Sequence, residues 1–197
     1  MRRHTFLKLA GAGVPGAVQG AQPPAARQHP TVYLTAEDVE RARRNRERLP
    51  WARSTADGIV SQARSWQARD DDWLRGVVPP PGACFAHGFT GCPICGAGCG
   101  TWGSARASFD NPGHVTCANG HVLPDAAHPD NGDGYIGPDK RIHYFVGSYN
   151  AWVVETLTFQ GADNLAYAYT LTGEERYAAK AALILDALAA IYPSRWH

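Results

Sequence analysis

Leu165-Ala166-Tyr167-Ala168-Tyr169-Thr170-Leu171-Thr172-Gly173-Glu174-Glu175 is the stretch that decides the fold. Thr172-Gly173 ends a helix, because glycine enters the left-handed cap conformation without steric cost. Glu174 and Glu175 then put negative charge where the next helix starts and its macrodipole is positive. Two apolar helices joined by so short a corner make an antiparallel hairpin. Upstream, Val153, Leu157, Gln160, Asn164, Tyr167 and Leu171 fall on one helical stripe. Trp152, Phe159, Ala162, Ala166 and Tyr169 fall on another, which predicts a helix from about Tyr149. Downstream, Tyr177, Ala181, Ile184, Leu188 and Ile191 share a face of the second helix, and Pro193 stops it. The other sides of that helix are mostly alanine and leucine, which predicts burial between neighbours.

The N-terminal third reads as two more helices. Thr35 and Asp38 form a capping box, and Glu37 with Arg41 and Glu40 with Arg44 are spaced as i,i+4 ion pairs. The arginines here read as a solvated helix face. Leu49-Pro50-Trp51 opens a second helix to about Arg69, and Asp70-Asp71-Asp72 reads as a solvated turn. From Val77 to Lys140 the helical period disappears among Gly, Pro, Asn and Asp. Short runs such as His114-Val115-Thr116 suggest small strands. So long an irregular stretch needs a staple.

Cys92-Pro93-Ile94-Cys95-Gly96 supplies one half of such a staple, and Cys117-Ala118-Asn119-Gly120-His121 begins 21 residues after Gly96. A C-x-x-C turn aims two thiolates at one ion, and structural zinc takes four N or S ligands in a tetrahedron. Cys92, Cys95, Cys117 and His121 are the expected ligands. Gly120 occupies the position matching the second cysteine, so the fourth ligand stays open to Cys99, Cys84, His87 and His114. A quartet of Cys84, His87, Cys92 and Cys95 is a further arrangement. Asp130-Asn131-Gly132-Asp133-Gly134 lacks alternating acidic spacing and has Arg141 where a calcium loop ends in Glu, so it is not read as a calcium site.

The chain has 197 residues, 44% of them hydrophobic and 19% charged, enough for one domain with a core or for part of a larger one. Residues 1–75 carry a balance of +5 and residues 76–197 one of −4, giving the net +1. One basic stretch without interleaved aromatics argues against nucleic-acid binding. Residues 1–21 read as an export signal: Arg2-Arg3-His4-Thr5-Phe6-Leu7-Lys8 resembles the twin-arginine consensus with one residue too many. The stretch Leu9 to Val18 is too short and glycine-rich for stable membrane insertion. The expected protein is therefore exported, periplasmic or extracellular, by the twin-arginine route. Residues 22–34 form a linker, 35–76 the N-terminal helices, 77–145 the irregular zinc-knuckle region and 146–193 the helical hairpin. Five cysteines, an odd number with one C-x-x-C pair, favour a metal over disulfides even in an exported chain.

The order of several segments resembles the N-terminal part of the heparinase II/III-like and oligoalginate-lyase group of polysaccharide lyases. They are His29-Pro30 through Thr35-Ala36-Glu37-Asp38-Val39, the Cys92–Gly96 knuckle, Val115-Thr116-Cys117 with Val122-Leu123-Pro124-Asp125, Tyr144-Phe145-Val146-Gly147-Ser148-Tyr149-Asn150, and Leu165 to Gly173. Together they span most of residues 29–193. The resemblance implies a mainly α fold, a partial (α/α) toroid of helical hairpins with an irregular, zinc-ribbon-like insertion. It also implies β-elimination on an anionic polysaccharide or oligosaccharide built from uronic acid. In that chemistry a polar side chain neutralises the uronate carboxylate, and a Tyr or His removes the adjacent proton. No metal is needed there, so zinc would be structural. No residue here maps onto the catalytic set, and the chain reads as an N-terminal fragment whose catalytic residues lie beyond it. Tyr149, Asn150 and Trp152, at a helix start facing the cleft of such a toroid, are the candidate substrate contacts. Gln160 and Asn164 would line that cleft or bond internally. Two other readings are a non-catalytic, zinc-stapled carbohydrate-binding or structural module, and a toroid glycoside hydrolase using Glu155 and Asp163.

Overall fold

The computed structural model describes residues 33–86, 91–98 and 105–192, which are mainly helical. The expected signal segment 1–21, nearly all of the linker 22–34, His87, Cys99 and Pro193 lie outside the described residues. Helix α1 (Ala36–Arg48) begins at the capping box read from sequence: Asp38 N–H donates to Thr35 Oγ1 at 3.2 Å and Thr35 N–H to the Asp38 carboxylate at 2.9 Å. Leu49 alone separates it from α2 (Pro50–Gln67), so the two helices fold back on each other. Arg53 donates to the carbonyls of Arg46 and Glu47 and closes the C-terminus of α1.

The expected i,i+4 ion pairs are replaced by Asp38–Arg41, Glu40–Arg43 and Arg46–Asp57. Arg43 Nε reaches the carbonyl of Thr170 at 3.0 Å, which turns its guanidinium toward Glu40. The acidic run is solvent-exposed as expected but starts a helix rather than a turn. Asp70 caps a short helix α3 (Asp71–Gly76) by accepting from Trp73 N–H at 2.9 Å, and Lys180 joins the Asp71 carboxylate to the Arg69 carbonyl.

The rod from Phe145 to Thr172 differs most from its sequence reading. It contains α4 (Phe145–Glu155), a π-helical segment (Thr156–Ala162) and α5 (Asp163–Thr172) without a break. The wider π turns absorb an extra residue, so the buried stripe steps forward by one. Val153 and Leu157 are buried as expected, but beyond them burial falls on Gly161, Leu165 and Ala168. Gln160 and Tyr167 are turned out to solvent, as are Phe159, Ala166 and Tyr169 of the second expected stripe. Gly161 allows the close approach there, since a Cβ would stand 3.2 Å from Ile184 Cδ1 and 3.4 Å from Trp66 Cε3.

Gly173, at φ +74°, donates to Tyr169 O at 2.7 Å and turns the chain into α6 (Glu175–Ile191). Tyr177, Ala181, Ile184 and Ile191 are buried there, with Leu188 packed at the margin. Among the described residues the other sides of α6 are not covered: Leu185 is 52% exposed, and Ala179, Ala182 and Ala189 are exposed. The core runs from Trp66, Leu157, Leu165, Tyr177 and Ile184 between helices through Tyr149 and Phe145 to Val115 and Leu123. Those last two lie opposite each other in a small antiparallel sheet of β1 (Arg106–Ala107), β2 (Val115–Thr116) and β3 (Val122–Leu123). A second ribbon pairs β4 (Tyr135–Ile136) with β5 (Ile142–His143) and leads into α4.

Candidate metal centre

The β2–β3 hairpin explains the spacing of Cys117 and His121. Its register pairs Val115 with Leu123 and Thr116 with Val122, so Cys117 and His121 form the next rung. Cys117 N–H donates to His121 O at 3.0 Å across a loop of Ala118, Asn119 and Gly120, and Gly120 takes the left-handed conformation at φ +88°. Directly opposed residues of an antiparallel pair project from the same face. A ligand four positions after the cysteine therefore meets it, where a tight turn would have placed one three positions on. In the other half-site, Gly96 N–H donates to Cys92 O and Cys92 N–H to Ala97 O, both at 2.8 Å, with Gly96 at φ +70°.

These two turns bring one donor atom each from Cys92, Cys95, Cys117 and His121 within 4.8 Å of one another. The Cys95 and Cys117 sulfurs are 3.9 Å apart, and His121 Nδ1 lies 3.5 Å from Cys117 Sγ and 3.7 Å from Cys92 Sγ. A zinc tetrahedron has edges of about 3.8 Å between sulfurs and about 3.6 Å between sulfur and nitrogen, from bond lengths of about 2.3 and about 2.05 Å. The cluster has the composition and size to hold such an ion. Cys84 is not part of it: its sulfur lies beside α4, 3.1 Å from where a Gly147 Cβ would stand. His114 is likewise elsewhere, with Nδ1 2.8 Å from Pro112 O.

Electrostatics in the four donors run in two directions. Burial pushes the Cys92 thiol up to about 11, against the N–H donors of Cys95 and Ile94. Cys95, at the surface, is held down at about 6, chiefly by the Ala97 N–H and with help from Asn119, whose Nδ2 donates to its sulfur at 3.4 Å. Burial raises Cys117 too, but the N–H groups of His121 and Asn119 and the His121 ring outweigh it, so its value falls. The His121 value is raised by Cys117 first and Cys95 second. Thiolate charge, wrapped in backbone N–H donors and met by an imidazole, is suited to a divalent cation.

Two polar residues to which sequence reasoning gave no structural role, Asp130 and His143, hold this region to the helices. Asp130, buried, accepts from Gly132 and Gly134 N–H through Oδ1 at 2.8 and 2.9 Å. Through Oδ2 it accepts from Phe145 and Val146 N–H at 2.7 and 3.0 Å, so it caps α4 from 15 residues upstream. His143 is buried, and its Nδ1 donates to Gly91 O at 2.8 Å, fixing the peptide that precedes Cys92. Its Nε2 has no hydrogen-bond partner and lies 3.7 Å from Asp139 Oδ1. The spacing of residue types gave no signal for either role.

The candidate substrate contacts are placed as follows. Tyr149 is buried, which raises its hydroxyl pKa, and its ring lies 5.8 Å from that of Trp152. Asn150 is buried and donates to Cys84 O at 2.9 Å, so its amide ties α4 to the segment before the knuckle. Trp152 is half-buried, 4.7 Å from the ring of Phe109. Asn164 Nδ2 donates to Gln160 O at 2.8 Å, a bond internal to the rod. Glu155 and Asp163 are both exposed on that same rod, on the order of 12 Å apart along it. No protein-family model matches the chain, and no curated protein and no solved structure matches it.

Proposed function

We propose that this chain is the zinc-stapled, helical N-terminal portion of an exported polysaccharide lyase that cleaves uronic-acid polymers by β-elimination. The observation that carries the zinc part is the closed donor set, four protein ligands within 4.8 Å in two glycine-turned half-sites. A tetrahedron filled by side chains leaves no position for substrate, which is the pattern of a structural rather than a catalytic ion. Cys92, Cys95, Cys117 and His121 would hold it, and zinc would supply a cross-link between the knuckle and the β2–β3 hairpin in the manner of a zinc ribbon. The lyase part is supported by the ordered resemblance across residues 29–193 and by the helical hairpins, which suit a partial toroid. No described residue is assigned as the base or the proton donor of the elimination.

Elemental analysis tests the staple. One zinc per folded chain, with Cys92 and Cys95 protected from alkylation, is the expected result. A metal-free folded chain with both thiols freely alkylated overturns it. A panel of alginate and glycosaminoglycan substrates tests the lyase in the complete protein, through release of unsaturated uronate ends. The second reading, a non-catalytic zinc-stapled module, is favoured by the engagement of Asn150 in an internal hydrogen bond. It predicts binding without that product.

A further inference from the structure

Arg69, at the end of α2, sits in an aromatic slot. Its guanidinium carbon lies 4.3 Å from the ring centroid of Trp73, 4.8 Å from that of Trp66 and 5.6 Å from that of Phe109. The rings brace each other: Phe109 meets Trp73 edge-on at 5.1 Å and Trp66 edge-on at 6.5 Å. Four carboxylates are close in sequence or on the same wall, yet none pairs with it. Asp70 is spent on Trp73 N–H, Asp71 on Lys180, Asp72 on Arg75 and Asp110 on Ser108. Among the described residues no acceptor bonds the Arg69 guanidinium, nor the indole N–H of Trp66 or Trp73. The sole buried side-chain nitrogen or oxygen lacking a partner there is His143 Nε2, so these donors all reach solvent.

The slot is therefore a half-buried rim whose stacked guanidinium donors have no acceptor. A guanidinium fork is planar and matches two oxygens of one carboxylate, and aromatic faces that fix its plane remove the entropy cost of orienting it. A neutral hydroxyl offers a donor as well as an acceptor and fits such a rim less well. We propose that Arg69, held by Trp66, Trp73 and Phe109, is a binding site for a ligand carboxylate, carried by a hexuronate unit of the polymer. The carboxylate follows from the slot; only its carrier rests on the lyase reading.

The test uses the zinc-loaded full chain and tetragalacturonate, with its methyl ester as the uncharged counterpart. Tryptophan fluorescence and calorimetry both read the binding. Saturable binding of the acid is expected, weaker by about tenfold or more for the ester and for both Arg69→Met and Arg69→Lys, because lysine keeps the charge but not the fork. Arg53→Met, in the helix-end arginine group, stays within about twofold of the parent. Arg69→Lys melting at the parent temperature separates lost binding from lost folding. No saturable binding, equal binding of the ester, or parent-like binding by Arg69→Lys overturns the site. Arg69-dependent binding with no unsaturated product from the complete protein keeps the site and removes the lyase. Elimination that Arg69→Met leaves unchanged does the reverse.

Discussion

Helices α2, α5 and α6 meet through side chains that need only be apolar and of suitable volume. Residues 91–98 and 105–144 meet through a few polar atoms with fixed positions. In the first region Val60, Ala63, Leu165, Ala168, Tyr177 and Ile184 share the work, and each contributes in proportion to the area it removes from water. In the second, strands of two residues bury few side chains, Val115 and Leu123 among them, and order rests chiefly on the Cys92, Cys95, Cys117 and His121 cluster, one carboxylate and one imidazole. Distributed burial tolerates local damage. Concentrated polar order fails at a point and fails as a unit.

The largest expected effect follows from metal removal. Structural zinc contributes about 10–16 kcal/mol of apparent binding free energy in small zinc-folded peptides. Chelation, or Cys92→Ser, should therefore release the β2–β3 hairpin and the knuckle while α2, α5 and α6 stay folded. Hydrogen exchange resolves this directly: fast exchange confined to residues 91–144 sharpens the contrast, and unchanged protection there breaks it.

Next in size comes Asp130→Ala. It strands four backbone N–H donors, two of them at the start of α4, and should cost about 3–5 kcal/mol in denaturant unfolding. Asp130→Asn should cost less, because one oxygen remains to accept. A loss under 1 kcal/mol, on the order of a surface substitution, would mean that water replaces those bonds.

Within the helical region Leu165→Ala should cost about 3 kcal/mol, whereas Tyr167→Ala should stay within about 0.5 kcal/mol. The pair tests the register step across the π segment. The reverse order of costs would restore the uninterrupted stripe.

The smallest effect concerns acid. Contacts with Thr35, then Arg41, hold the Asp38 carboxyl at about 2, below the ordinary 3.8. A lowered folded value means that this contribution is complete above the ordinary carboxylate range and is lost as pH falls through about 2. The metal should leave earlier, because protons compete for its thiolates and imidazole. Circular dichroism of α1 against zinc release, followed down one acid titration, checks the sequence of events. Loss of the α1 cap before the metal would invert the comparison.

Features set by neighbours in sequence were legible. The Thr35–Asp38 box, the Gly173 corner and the gathering of Cys92, Cys95, Cys117 and His121 into one cluster each depend on residues a few positions apart, or on two such groups. The π segment was not legible, because Leu157, Gln160, Asn164 and Tyr167 satisfy an ordinary helical period. What overrides it is Gly161 approaching Ile184 and Trp66, a contact between distant elements. Asp130 looked like part of a polar loop, since its partners Phe145 and Val146 follow a long hairpin. Arg69 marked only the end of a helix in the sequence, because nothing local announces that the Phe109 ring lies beside it.

The rung that sets Cys117 against His121 has a consequence for assembly. A slip of one residue between β2 and β3 would set Cys117 against a neighbour of His121 and turn the imidazole to the opposite face. Such a strand pair offers the ion three donors instead of four. A bound ion would thus act as a proofreader of strand alignment, retaining the aligned hairpin and leaving the slipped one free to open and try again.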